Sequence, residues 1–105
     1  MEKNITLIDV IRKARPLVAS PKTWTTGYTA KDSRGNYVTT CDPKAVRYCA
    51  VGALTKAAFE LVGAGWRAHD LANRAACMVS YDLTSINDFK GRKAVLALFD
   101  KALAR

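Results

Sequence analysis

Residues 42–65 read DPKAVRYCAVGALTKAAFELVGAG, the longest apolar-patterned stretch of the chain and the one around which the rest is organised. Asp42 is a good N-cap, and Pro43 suits the first helical position, where no N–H is needed. Val46, Cys49, Ala50, Ala53, Leu54, Ala57 and Leu61 follow in steps that place them on one helical face. Ala45, Tyr48, Gly52, Thr55 and Phe59 make a second stripe. A helix apolar on two faces packs on both sides, so a central helix is predicted over about 42–62. Gly63-Ala64-Gly65 ends it. That triplet is no phosphate loop, because a helix and not a strand precedes it.

Upstream, Thr6 and Asp9 have capping-box spacing, with Asp in the place of the usual Glu. Leu7, Val10, Ile11, Ala14, Leu17 and Val18 form an apolar stripe. A first helix is predicted over Thr6–Arg15, with a kink or a short extra turn after Pro16 to about Ser20. Residues 20–40 are rich in Thr and aromatics, which favour pleated surfaces. Asp32-Ser33-Arg34-Gly35-Asn36 is turn chemistry. A β-hairpin is predicted over about 24–40, with strands near 24–30 and 36–40.

Downstream, Ala68, Leu71, Ala72, Ala75 and Met78 mark a third helix over Trp66–Tyr81. Thr84–Gly91 reads as a polar loop anchored by Ile86 and Phe89. A fourth helix, Arg92–Ala104, carries Val95, Leu98, Phe99 and Ala102. The expectation is a single α+β domain over residues 1–105, mostly helical. Four helices pack around the central one, and the hairpin covers one side.

With 105 residues, half of them apolar and a quarter charged, the chain has the balance of one ordinary globular domain. No apolar run approaches the roughly 18 residues of a membrane span. Asp9, Arg12 and Lys13 break the early apolar residues, so no secretory leader is read. Three cysteines, Cys41, Cys49 and Cys77, cannot form a complete internal disulfide set. With no C-x-x-C pair and one histidine, neither a metal site nor a cofactor is expected. These features point to a cytoplasmic protein with reduced thiols.

Trp24-x-x-Gly27, Gly35, the run from Asp42-Pro43 through Cys49-Ala50-x-Gly52-Ala53-Leu54, and Asn87-Asp88 resemble a small uncharacterised bacterial and phage family, a domain of unknown function. The similarity covers nearly the whole chain. Tyr48 stands where that family more often has Trp, which keeps the aromatic face. The resemblance implies a bacterial, prophage or phage origin and supplies no activity.

Two constellations bear on function. The first is basic. The net charge is +8, divided as +4 over residues 1–40, +1 over 41–65 and +3 over 66–105. Arg12, Lys13 and Arg15 form one cluster, and Lys90, Arg92 and Lys93 another. If the first and last helices are neighbours, these clusters join into a surface that attracts phosphate through counterion release. No base-reading motif accompanies them. The second is aromatic and polar. Trp24, Tyr28, Arg47, Tyr48, Asn87 and Asp88 could form a nucleotide pocket, with rings stacking the base and Arg47 holding phosphate. The competing reading is packing, with Asn87 and Asp88 tying a loop to backbone amides.

An enzyme is disfavoured. Asp70 follows His69 directly on a helix, so the two point about 100° apart and Asp70 cannot orient the imidazole. The expected function is therefore a small non-enzymatic binding protein for nucleic acid or a nucleotide, and the resemblance to phage proteins implies an accessory role that could counteract host defence. The rivals are an adaptor or inhibitor of a host protein, whose charge only aids solubility, and a small enzyme using Cys49 or His69.

Overall fold

The computed structural model describes residues 4–63 and 65–104, so Ala64 of the helix stop lies outside the described residues. Thr6 opens helix α1, Leu7–Ala19, through both halves of the capping box. The Asp9 N–H donates to Thr6 Oγ1 at 3.1 Å, and the Thr6 N–H donates to Asp9 Oδ2 at 2.9 Å. The helix runs through Pro16 to Ala19. Its stripe of Val10, Ile11, Ala14 and Val18 is fully buried.

Two short strands follow. Strand β1, Ala30–Lys31, pairs antiparallel with β2, Arg47–Tyr48, Ala30 opposite Tyr48 and Lys31 opposite Arg47. The expected hairpin is corrected here. Its turn forms, with the Asp32 N–H on the Asn36 carbonyl and the Gly35 N–H on the Asp32 carbonyl. Next to the turn the two arms do pair, through the antiparallel Lys31–Tyr37 bridge and the Val38 N–H on the Ala30 carbonyl. They do not extend into strands over 24–30 and 36–40, and the other edge of β1 pairs with β2 ahead of the central helix.

The central helix is corrected too. Helix α2 is Ala50–Val62 and starts eight residues after Asp42. Asp42 instead closes a turn, its Oδ1 accepting from the Lys44 N–H at 2.8 Å. The amides that a helix would turn inward go elsewhere. Val46 donates to the Lys31 carbonyl, Tyr48 to that of Thr23 and Cys49 to that of Thr29. Each buried backbone donor needs one partner, so these cross-chain bonds displace the helical ones.

Helix α3 is Trp66–Val79, α4 is Leu83–Phe89 and α5 is Arg92–Leu103. Helix α4 replaces the expected loop over Thr84–Gly91, anchored by buried Leu83 and Asn87. The class stands as α+β, mostly α, with five helices. Helix α2 packs on α1, α3 and α4, and α1 reaches α3 and α5 as well. Their shared core includes Ile11, Leu54, Leu83, Val95 and Phe99. Small residues on α2 permit close approach. A Cβ on Gly52 would lie 1.8 Å from the Thr29 carbonyl oxygen. No described helix is long and apolar enough to cross a membrane.

Candidate ligand-binding surface

The six residues of the expected aromatic pocket divide into a bonded layer beneath and a surface above. Asn87 is fully buried at the centre of the lower layer. Its Oδ1 accepts from Trp24 Nε1 at 2.7 Å and from the Ala50 N–H at 3.0 Å. Its Nδ2 donates to the Thr25 carbonyl and to Asp88 Oδ1, each at 3.1 Å. That uses two acceptor sites and two donors, the full capacity of the amide. Asp88 Oδ1 also accepts from the Gly27 N–H at 3.0 Å. Thus α4 ties residues 24–27 to the first turn of α2.

Arg47 and Tyr48 are adjacent in β2, and successive strand side chains point to opposite faces. Arg47 is exposed, whereas Tyr48 is buried, its hydroxyl donating to the Ala45 carbonyl at 3.2 Å. Burial pushes the Tyr48 phenol above its ordinary pKa. Of the six, Tyr28 and Arg47 stand on the surface, Trp24 and Asp88 are half-buried, and Tyr48 and Asn87 lie inside.

Tyr28 has a partner that the hairpin reading did not single out as a site residue. Its ring centroid lies 5.1 Å from that of exposed Tyr37, and Lys31 Nζ stands 5.6 Å from the Tyr28 centroid. Tyr37 continues into a cleft of about 540 Å³ between residues 37–41 and helices α2 and α3. Thr39, Thr55, Phe59, His69 and Asn73 line it further. Nothing in the sequence pairs Tyr37 with Asn73. Only the turn at 32–36, which carries Tyr37 back across β1, brings them together.

The basic clusters are also rearranged by packing. Helices α1 and α5 are neighbours. Arg15 pairs side-on with Asp100, through Nε and through Nη2 at 3.2 Å. Lys13 faces Glu60 at 3.3 Å and Arg12 faces Asp9 at 3.7 Å. Arg92 donates to the Ala19 carbonyl at 2.8 Å, which sets the start of α5 beside the end of α1. The helices therefore run antiparallel, with Lys90 and Lys93 at one end of the pair and Arg12 and Lys13 farther along it. Lys90, Lys93, Lys31, Lys44 and Arg47 make no ion pair among the described residues.

Cys49 caps α2, its Sγ accepting from the Gly52 N–H at 3.3 Å. Burial pushes this thiol's pKa up, opposite to the shift that activates a nucleophile. Cys41 and Cys77 are exposed, free thiols. His69 is exposed and lies edge-on to Phe59, centroids 5.2 Å apart. No group of three or more His, Cys, Asp or Glu among the described residues could hold a metal ion.

Fold and surface together define a small helical domain clasping a two-stranded sheet, with a cleft of mixed polar and aromatic lining at its side. The chain belongs to DUF6197, a family of unknown function whose model matches residues 2–105. No curated protein and no solved structure matches it significantly. The resemblance in the sequence thus stands as membership of a family of unknown function along nearly the whole chain.

Proposed function

We propose that this protein is a small basic, non-enzymatic binding protein for a phosphate-bearing partner, a nucleic acid or a nucleotide. The observation that carries the reading is the uneven pairing of its cations. Arg12, Lys13 and Arg15 already face carboxylates, whereas Lys31, Lys44, Arg47, Lys90 and Lys93 do not. Asp32 and Asp42, the acids nearest the loop cations in the chain, are turned to backbone amides. Unpaired cations beside exposed aromatic rings suit a polyanion that also carries bases. The sequence resemblance to bacterial and phage proteins supports a cytoplasmic accessory role, including one against host defence.

The test is oligonucleotide binding by fluorescence anisotropy across a salt series. Binding at about 50 mM salt that weakens linearly on log–log axes is expected. Lys44→Ala with Arg47→Ala should flatten the slope by about two, one for each lost phosphate contact. Absence of binding at low salt would overturn the reading. A second reading, a protein-binding adaptor or inhibitor, is favoured by Trp66, Tyr81 and Phe89, which are 81%, 92% and 87% exposed. Salt-insensitive binding to a protein would select it.

A further inference from the structure

We propose that the cleft behind Tyr37 holds the base of a nucleotide, with the phosphate outside it toward Lys31. The inference rests on the phosphate-binding reading and names where the ring would sit. The cleft's volume, about 540 Å³, falls within the range of small-molecule sites. Its lining includes no Lys, Arg, Asp or Glu. A bare phosphate would find no Lys or Arg there, and an acyl chain would leave the Thr39, His69 and Asn73 polar groups without partners. An uncharged heterocycle meets neither obstacle.

The polar groups are also uncommitted. The Tyr37 hydroxyl, the Thr39 hydroxyl, the His69 ring nitrogens and the Asn73 amide make no hydrogen bond among the described residues. They come from two sides, the loop and α3, so they can meet opposite edges of one planar ring. Asn73 brings both a donor and an acceptor, as base edges require. Tyr37, 56% exposed, offers a face, and Phe59 with His69 closes the helix side. Tyr28 stacks beside Tyr37, and the Lys31 ammonium stands against Tyr28 on the residue that pairs directly with Tyr37. The neutral cleft and the cation outside it match the two ends of a nucleotide.

The experiment is calorimetric titration of the full chain with the common nucleoside monophosphates, their nucleosides, ribose 5-phosphate and inorganic phosphate. At least one monophosphate should bind with one-to-one stoichiometry, its nucleoside more weakly, and the two base-free phosphates not at all. Tyr37→Ala should weaken nucleotide binding about tenfold, the loss of one base–aromatic stack. Asn73→Ala should change the preference among bases. Both residues are exposed, so both variants should keep the parent's melting temperature. Lys31→Gln should weaken the monophosphate and leave the nucleoside unchanged. No binding of any nucleoside or nucleotide at millimolar concentration overturns the inference, as does binding indifferent to both cleft substitutions. If oligonucleotides still bind with a steep salt slope in that case, the cleft fails and the phosphate reading stands. A nucleoside bound as tightly as its monophosphate overturns the placement of the phosphate toward Lys31 and with it the inference, while the salt series on oligonucleotides tests the phosphate reading separately.

Discussion

The indole N–H of Trp24 donates to Oδ1 of Asn87 across 2.7 Å, joining residues 63 apart in sequence. The same oxygen takes the Ala50 N–H at the start of α2. One buried amide thereby fixes the loop, the central helix and α4 relative to one another. Two stretches that stand out in the sequence, Trp-x-x-Gly and Asn-Asp, are two halves of this one device.

Asn87→Ala should therefore destabilise the fold strongly. Leaving buried donors without partners costs about 1–3 kcal/mol for each group. A loss of about 3 kcal/mol is expected, measured by urea unfolding. In a Trp66→Phe background the emission of Trp24 should shift to the red as its partner disappears. Stability within about 0.5 kcal/mol of the parent would show that the network is dispensable.

Gly52→Ala gives an opposite-sign test. In an unobstructed helix interior Ala is better than Gly by about 1 kcal/mol. Here the new Cβ would meet the Thr29 carbonyl carbon at 2.7 Å and its oxygen closer still. Backbone must move, and overpacking of this kind costs about 1–3 kcal/mol. The variant should melt below the parent, and a rise in melting temperature would refute the close approach of residue 29 to α2.

The thiols should differ in reactivity. Cys41 and Cys77 are exposed, while Cys49 is buried with a raised pKa and an N–H on its sulfur. Ellman's reagent should titrate two thiols rapidly in the native protein and the third only on unfolding. Reductant should leave the melting temperature unchanged. Three fast thiols would mean that the first turn of α2 opens readily.

Acid should expose two carboxylates. The hydrogen bond and charge of Arg15 hold Asp100 below the ordinary carboxylate range, and backbone N–H groups, first that of Asn36, do the same for Asp32. Folding therefore favours their ionised forms. Their contribution is complete above the unfolded pKa of about 4 and is lost as pH falls through the lower folded values. Asp32→Asn with Asp100→Asn should flatten the fall of melting temperature below about pH 4, where the unfolded carboxylates begin to take up protons. Both groups are exposed, so the effect should be small and should shrink further in salt.

Much of the helical frame is legible locally. The Thr6–Asp9 box, the stripe from Val10 to Val18 and the stripe of α5 each lie within one helix, so neighbouring residues suffice to specify them. The start of α2 is not legible locally, because Asp42-Pro43 suits an Asx turn as well as a helix N-cap. Helix α4 leaves no local signature, because seven residues hold too few turns for an apolar period to emerge.

Amphipathic stripes in α1, α3 and α5, the basic balance and the side chains available for a site are all written in the linear order of residues. Which of those side chains meet depends on packing. Caps and stripes are written within a few residues, because their hydrogen bonds and packing faces repeat within a helical turn. The pairing of Tyr48 with Ala30, the four bonds of Asn87 and the cleft that Tyr37 and Asn73 line together each join distant segments. Such contacts depend on how the buried faces of all five helices pack at once, and no local pattern encodes that.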